Sequence, residues 1–150
     1  MFKKAVMMSL FSVLAGLVLT GCVTVKEYAP QAEKLTVSKE EYELARKLLK
    51  AFVKNDADTF VSLLPEETRA KFTADEFAKT RKSLVESVGE PIEYGYLTTL
   101  ELQALHPQIW KVRFKRWNVN RTKEFTSEIL FKVVTGTIKK QAVITGFNFQ

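Results

Sequence analysis

The chain has 150 residues, 46% hydrophobic and 27% charged, with a formal net charge of +6. That length suits one domain, and the hydrophobic share excludes a wholly disordered chain. A single cysteine excludes an intramolecular disulfide and a thiolate zinc cluster, and a single histidine excludes a two-histidine metal site.

The N-terminus reads as an address. Met1-Phe2-Lys3-Lys4 is basic, and the run from Ala5 to Leu19 is apolar apart from Ser9, Ser12 and Gly16. That run is short for a membrane span and has the length of a signal-peptide core. It ends in Leu19-Thr20-Gly21-Cys22, which resembles the bacterial lipobox. The resemblance implies cleavage before Cys22, a diacylglyceryl group on its thiol and acylation of the new amine. Two or more acyl chains anchor stably where one does not. Val23, where an Asp would favour the inner membrane, implies the periplasmic face of the outer membrane. Without residues 1–21 the chain carries 21 basic and 17 acidic residues, a net of +4.

Residues 23–37 have no sustained period and contain Pro30. They read as a tether, which fully extended reaches roughly 50 Å; the alternative is that part of it packs as an edge strand. Ser38-Lys39-Glu40-Glu41 fits a capping box, and Tyr42, Ala45, Leu48, Leu49, Phe52 and Val53 follow at helical spacing. Asp56 or Asp58 starts a short second helix, and Pro65-Glu66-Glu67 a further turn. Thr73-Ala74-Asp75-Glu76 is a second capping box, whose helix stops at Gly89 and Pro91. Beyond residue 91 the period becomes two. Ile92, Tyr94 and Tyr96 alternate with Glu93, Gly95 and Leu97. Trp110, Val112 and Phe114 alternate with Lys111, Arg113 and Lys115. Phe125 to Val133 forms a third such run. Residues 118–121 read as a hairpin connection, and Thr135-Gly136-Thr137 as the turn into a last strand, Ile138 to Phe149. Gly146 in that strand marks a bulge or bend. The expected division is a signal peptide over 1–21, a lipidated tether over 22–37 and one domain over 38–150. Its class is α+β: N-terminal helices packed on a curved antiparallel sheet of about four strands.

This pattern resembles the nuclear transport factor 2-like superfamily, the cystatin-like α+β cone. The resemblance rests on the opening helix ending in Lys54-Asn55-Asp56-Ala57-Asp58-Thr59-Phe60, then Leu63-Leu64-Pro65-Glu66-Glu67-Thr68-Arg69, Thr73-Ala74-Asp75-Glu76-Phe77, Gly89 and the closing Val143-Ile144-Thr145-Gly146-Phe147-Asn148-Phe149. It implies a cone, a shape that hosts isomerases, dehydratases, transport adaptors and inert modules, so fold alone does not carry function. No catalytic set maps onto matching positions. Tyr94, Tyr96 and His106 are the candidate pocket residues, for a small ligand or an isomerase- or hydrolase-like activity. No phosphate loop, GxSxG or acidic metal cluster occurs, and no cofactor is implied.

Charge is uneven. Residues 22–110 hold 12 basic and 15 acidic groups, whereas 111–140 hold nine basic and two acidic. Alternation puts Lys111, Arg113, Lys115 and Trp117 on one strand face, with Arg116 beside them. These five are the candidate contact surface for an envelope protein or an anionic envelope component. Export argues against nucleic acid. The expected function is therefore a lipid-anchored, non-enzymatic interaction module; the alternatives are a ligand-binding cone or an immunity or exclusion lipoprotein.

Overall fold

Ser38 opens the first helix by accepting the Glu41 amide at 3.2 Å, and α1 runs Lys39–Val53. Asp56 caps α2 (Ala57–Ser62) by accepting from the Thr59 amide at 3.0 Å, and a single turn, α3 (Glu66–Arg69), follows Pro65. Thr73 caps α4 (Ala74–Val88). The computed structural model describes residues 24–28 and 37–150. Cys22 and the signal segment lie outside the described residues, and among those described no helix is long and apolar enough to cross a membrane.

Gly89 ends α4 at φ 99°, where a Cβ would stand 2.1 Å from the Lys115 carbonyl oxygen, so no other residue fits without moving a strand. The chain then enters an antiparallel meander: β2 (Glu90–Thr99), β3 (His106–Trp117), β4 (Glu124–Ile138) and β5 (Gln141–Phe149). Within the stretch expected to be a tether, Lys26–Tyr28 forms a short strand, β1, parallel to β2 with Tyr28 opposite Gly95. A Cβ on Gly95 would come within 3.1 Å of Tyr28 Cβ, so the glycine admits the strand. The sheet thus has five strands in the order β1-β2-β3-β4-β5.

Register shifts at Pro91/Glu93, Tyr96/Thr98 and Val134/Thr135 interrupt the ladders, and such bulges bend strands. Gly146 sits beside the last of them, as its position suggests. The turn between β4 and β5 differs from expectation. It is Lys139-Lys140, both at positive φ (49° and 67°), while Thr135-Gly136-Thr137 continues β4. The turn expectation followed glycine, but here two lysines adopt the conformation a tight hairpin demands.

Pairing fixes the faces. Trp110 opposes Phe131 and Tyr96, and Val112 opposes Ile129 and Tyr94, so these side chains share the face that α1 covers. Tyr42, Ala45, Leu48, Leu49 and Phe52 of α1 meet them, all buried. Tyr42 stacks on Trp110 with centroids 5.3 Å apart, and Phe52 lies 4.5 Å from Phe149. α4 is tied on by Phe77 against Phe60 and by Arg81, whose Nε donates to the Phe52 carbonyl at 3.1 Å.

Candidate functional site

The inner face carries the three candidate pocket residues, and each is engaged separately. Tyr94 donates its hydroxyl to Glu27 of β1 at 2.9 Å. The same carboxylate accepts Arg46 Nη2 of α1 at 2.9 Å, and Arg46 Nε on its other oxygen. Burial pushes the Tyr94 hydroxyl pKa well up, and the hydrogen bond to Glu27 adds to it. Tyr42 nearby is pushed up to about 12 by burial and then by the Glu27 charge. Tyr96 shares a 2.7 Å hydrogen bond with Thr99 and packs edge-on against Tyr42 and Trp110. Of the three, Tyr94 borders a cleft of about 780 Å³, with Thr24, Val25, Lys54, Glu90 and Pro91.

His106 lies at the start of β3 and is held by a residue that sequence reasoning assigned to a capping box. Glu41 does not reach back to the helix start. Its side chain, 2% exposed, faces His106 Nδ1 at 2.8 Å and accepts from Thr137 Oγ1 at 3.3 Å. With a carboxylate as its partner, Nδ1 is the donor of this hydrogen bond. Around this pair Gln108 donates to the Glu41 carbonyl at 3.0 Å and to Thr135 Oγ1 at 3.1 Å. Gln108 Oε1 and Trp110 Nε1 are buried without a hydrogen-bond partner among the described residues. The arrangement orients an imidazole as a carboxylate–histidine dyad does. It binds α1 to the ends of β3 and β4. Nothing in local spacing signals it, because Glu41 is 65 residues from His106.

The interior between α1 and the sheet is occupied by the chain's own side chains: Tyr42, Leu48, Phe52, Trp110, Val112 and Phe131 are all buried. A second recess lies elsewhere, a groove of about 730 Å³ between α4 and β5, floored by Phe52, Phe60, Phe77 and Phe147 and edged by Thr80, Ser83 and Ser87.

The outer face carries the candidate contact surface, and its charges are largely matched. Lys111 pairs with Glu128 at 3.4 Å, Arg113 with Glu93 at 3.2 Å and with Glu128 at 3.5 Å, and Lys115 with Glu124 at 2.7 Å. The strand pattern alone could not show this, since Glu93, Glu124 and Glu128 come from neighbouring strands. Arg116 points to the other face, where Nη1 donates to the Ser87 carbonyl at 3.2 Å and the guanidinium lies 5.7 Å from the Phe125 ring. Trp117 is half exposed, with Lys115 Nζ 5.2 Å over its ring. Among the described residues, Arg116, Arg121 and Lys123 form no ion pair, and neither do Lys132, Lys139 and Lys140, so three unmatched cations stand at the β3–β4 hairpin and others on β4 and at the opposite turn. No group of three His, Cys, Asp or Glu side chains among the described residues is placed to hold a metal.

No protein-family model matches the sequence, and no curated protein does. Likeness to solved structures is one of shape. A SEC-C motif containing protein from Rhodopseudomonas palustris is 17% identical, over 70% of this chain and 74% of that one, with a TM-score of 0.47. An NTF-2 like protein of unknown function from Shewanella oneidensis is 13% identical over 72% and 93%, with a TM-score of 0.43. An NTF2-like protein from Campylobacter jejuni is 12% identical over 69% and 94%, with a TM-score of 0.44. The class is set by this chain's own elements: helices packed on one face of a bulged, five-stranded sheet, an α+β arrangement that fits a cone.

Proposed function

We propose that this chain is a bacterial envelope lipoprotein, anchored through Cys22, whose α+β domain acts as a non-enzymatic interaction module. The observation that carries the non-enzymatic part is the filled interior: the place where a cone would hold a substrate contains Tyr42, Trp110, Phe52 and Phe131. Anchoring is supported by the basic start, the apolar run and Leu19-Thr20-Gly21-Cys22 in that order. The contact surface is narrower than the sheet face. Among the described residues Arg116 pairs with no carboxylate and Trp117 is half exposed, while Lys111, Arg113 and Lys115 are matched by carboxylates.

The test has two arms. Cys22→Ser is expected to accumulate as an unlipidated precursor that leaves the outer-membrane fraction; normal fractionation and an acylated mass for that variant refute the anchor. Arg116→Glu with Trp117→Ala is expected to weaken contact with an anionic envelope component, read as loss of protection of the β3–β4 hairpin from proteolysis in isolated envelope membranes, while keeping the wild-type melting temperature. Reversal at Arg113 or Lys115 is a poorer probe, because it sets carboxylates against Glu93, Glu128 or Glu124. The groove between α4 and β5 favours a second reading, a small apolar ligand. Saturable binding of an apolar fluorescent probe, abolished by Ser83→Trp, is the result that would support it.

A further inference from the structure

We propose that the β3–β4 hairpin end of the domain lies against the anionic phospholipid surface of the membrane that holds Cys22, so that the anchor and the hairpin together fix the domain's orientation. This rests on the lipid-anchor reading above.

The first argument is chain length. Lys26 already belongs to the sheet, so only three residues separate it from Cys22, a reach of at most about 14 Å over four steps. The direction of that reach is set by register. β1 is parallel to β2, and Lys26 lies level with Glu93, which lies level with Arg113 of β3. Going back from Lys26 leads toward Pro91 and Glu90; Thr24 and Val25 border the cleft with those residues and Lys54. Trp117 is four residues past Arg113 in the same direction, about 13 Å along the strand, and β3 is two strand spacings, roughly 10 Å, from β1. The described residues that follow the anchor, Thr24 and Val25, therefore stand toward the same end of the sheet as the hairpin. The opposite end, with loop residues 100–105 and the Lys139-Lys140 turn, faces away.

The second argument is the chemistry of the hairpin. Its tip residue Val119 is 100% exposed, Trp117 is half exposed, and Phe125 is 39% exposed. Cations cover these rings: Lys115 Nζ lies 5.2 Å from Trp117, and Lys123 Nζ and Arg116 Cζ lie 5.1 and 5.7 Å from Phe125. Acidic groups at this end are used internally, Glu124 by Lys115, Glu90 by Arg81 and Glu86 by Lys82. Arg116, Arg121 and Lys123 are left as unmatched charge beside an apolar tip. Amphipathic aromatics with basic neighbours suit the headgroup layer, where a protein left in water gains little from exposing them. The exposed Leu100, Leu102, Leu105 and Ile138, with Lys139 and Lys140 beside them, form the competing patch; chain length decides against it, because it lies at the end of the sheet away from Thr24 and Val25.

The test uses the full-length protein expressed in its envelope and purified from membranes. A thioether-linked Cys22 gives no maleimide adduct, so the single native cysteine reports on the anchor. Val119→Cys and Gln103→Cys, at opposite ends, are each labelled with an environment-sensitive dye and placed in vesicles of phosphatidylethanolamine with phosphatidylglycerol. The expected result is no label on the wild-type chain, an apolar, blue-shifted emission at position 119 and an aqueous one at 103. Each basic residue beside an anionic surface contributes roughly a fivefold factor, so Arg121→Gln with Lys123→Gln lowers the membrane-inserted population at 119 about 25-fold. An unlabelled wild type with an aqueous dye at 119, or with the apolar signal at 103, overturns the orientation and leaves the anchor standing. A protein seated on the hairpin in the same membranes, seen as a crosslink from position 119, also overturns it. A wild-type chain that labels at Cys22 removes the anchor and the inference with it.

Discussion

The attachment of β1 decides how close the domain stands to Cys22, and it hangs largely on one carboxylate. β1 has three residues, so its ladder to β2 is short. Glu27 supplements it by accepting Arg46 Nε and Nη2 and the Tyr94 hydroxyl. Glu27→Gln keeps the shape and removes the charge. A hydrogen bond to a charged group contributes about 1.5–3 kcal/mol, whereas an exposed ion pair contributes under about 1 kcal/mol. The Glu27 and Arg46 side chains are 22% and 31% exposed, between those cases. The loss expected is about 2 kcal/mol, or about 30-fold in local opening. Hydrogen exchange reads it directly: the amides of 26–28 are expected to exchange about 30-fold faster while the β3 amides keep their protection. Unchanged exchange at 26–28 would refute the clamp. Loss of protection in β3 as well would refute the claim that it acts locally. The pH dependence has a definite sign. Burial acts to raise the Glu27 pKa, but the hydrogen bonds from Arg46 and Tyr94 and the charges of Arg46 and Lys50 outweigh it, holding the carboxyl below its ordinary 4.5. A pKa depressed by folding gives stability that is complete above 4.5 and is lost as pH falls through the folded value. Protection of 26–28 therefore declines in acid for the wild type and stays flat for Glu27→Gln.

Other substitutions test the frame and the inner face. Gly89→Ala needs positive φ and pushes a Cβ into the Lys115 backbone, so a loss of at least about 3 kcal/mol, roughly 10 °C or more in melting temperature, is expected by circular dichroism. An alanine variant that melts with the wild type would contradict the α4–β3 contact. In alkali, Tyr42 and Tyr94 hydroxyls whose pKa values are raised contribute stability that is complete below the unfolded value near 10 and is lost as pH rises through the folded ones. At about pH 11, tyrosinate absorbance is expected to stay incomplete until the fold is lost. Full ionisation with the aromatic circular dichroism intact would show that these hydroxyls are not buried.

Much of the frame was legible because it is local. A cap and a periodic stripe lie within a few residues of each other, so α1 and α4 could be read from Ser38, Thr73 and the apolar positions behind them, and Gly89 announced the stop. Alternation placed Trp110, Val112 and Phe114 inside and Lys111, Arg113 and Lys115 outside. The turn at Lys139-Lys140 is not legible because lysine rarely takes positive φ, and β1 stands only as the alternative to a tether because three residues carry too little pattern. The candidate sites fared differently. Tyr94, Tyr96 and His106 do share the inner face, yet they bind Glu27, Thr99 and Glu41 rather than a common space.

By itself the sequence determined composition, periodicity and the N-terminal motif: an α+β order, an uneven charge and a single cysteine at the end of an apolar run. Only the tertiary structure decided which charges remain unmatched and how near Cys22 the domain begins. Both depend on partners distant in sequence. The cations of β3 are neutralised by Glu93, Glu124 and Glu128 across the ladders, and β1 is held by Arg46 of α1. Side chains that alternate along one strand say where they point. Strand register and helix packing alone say what they meet.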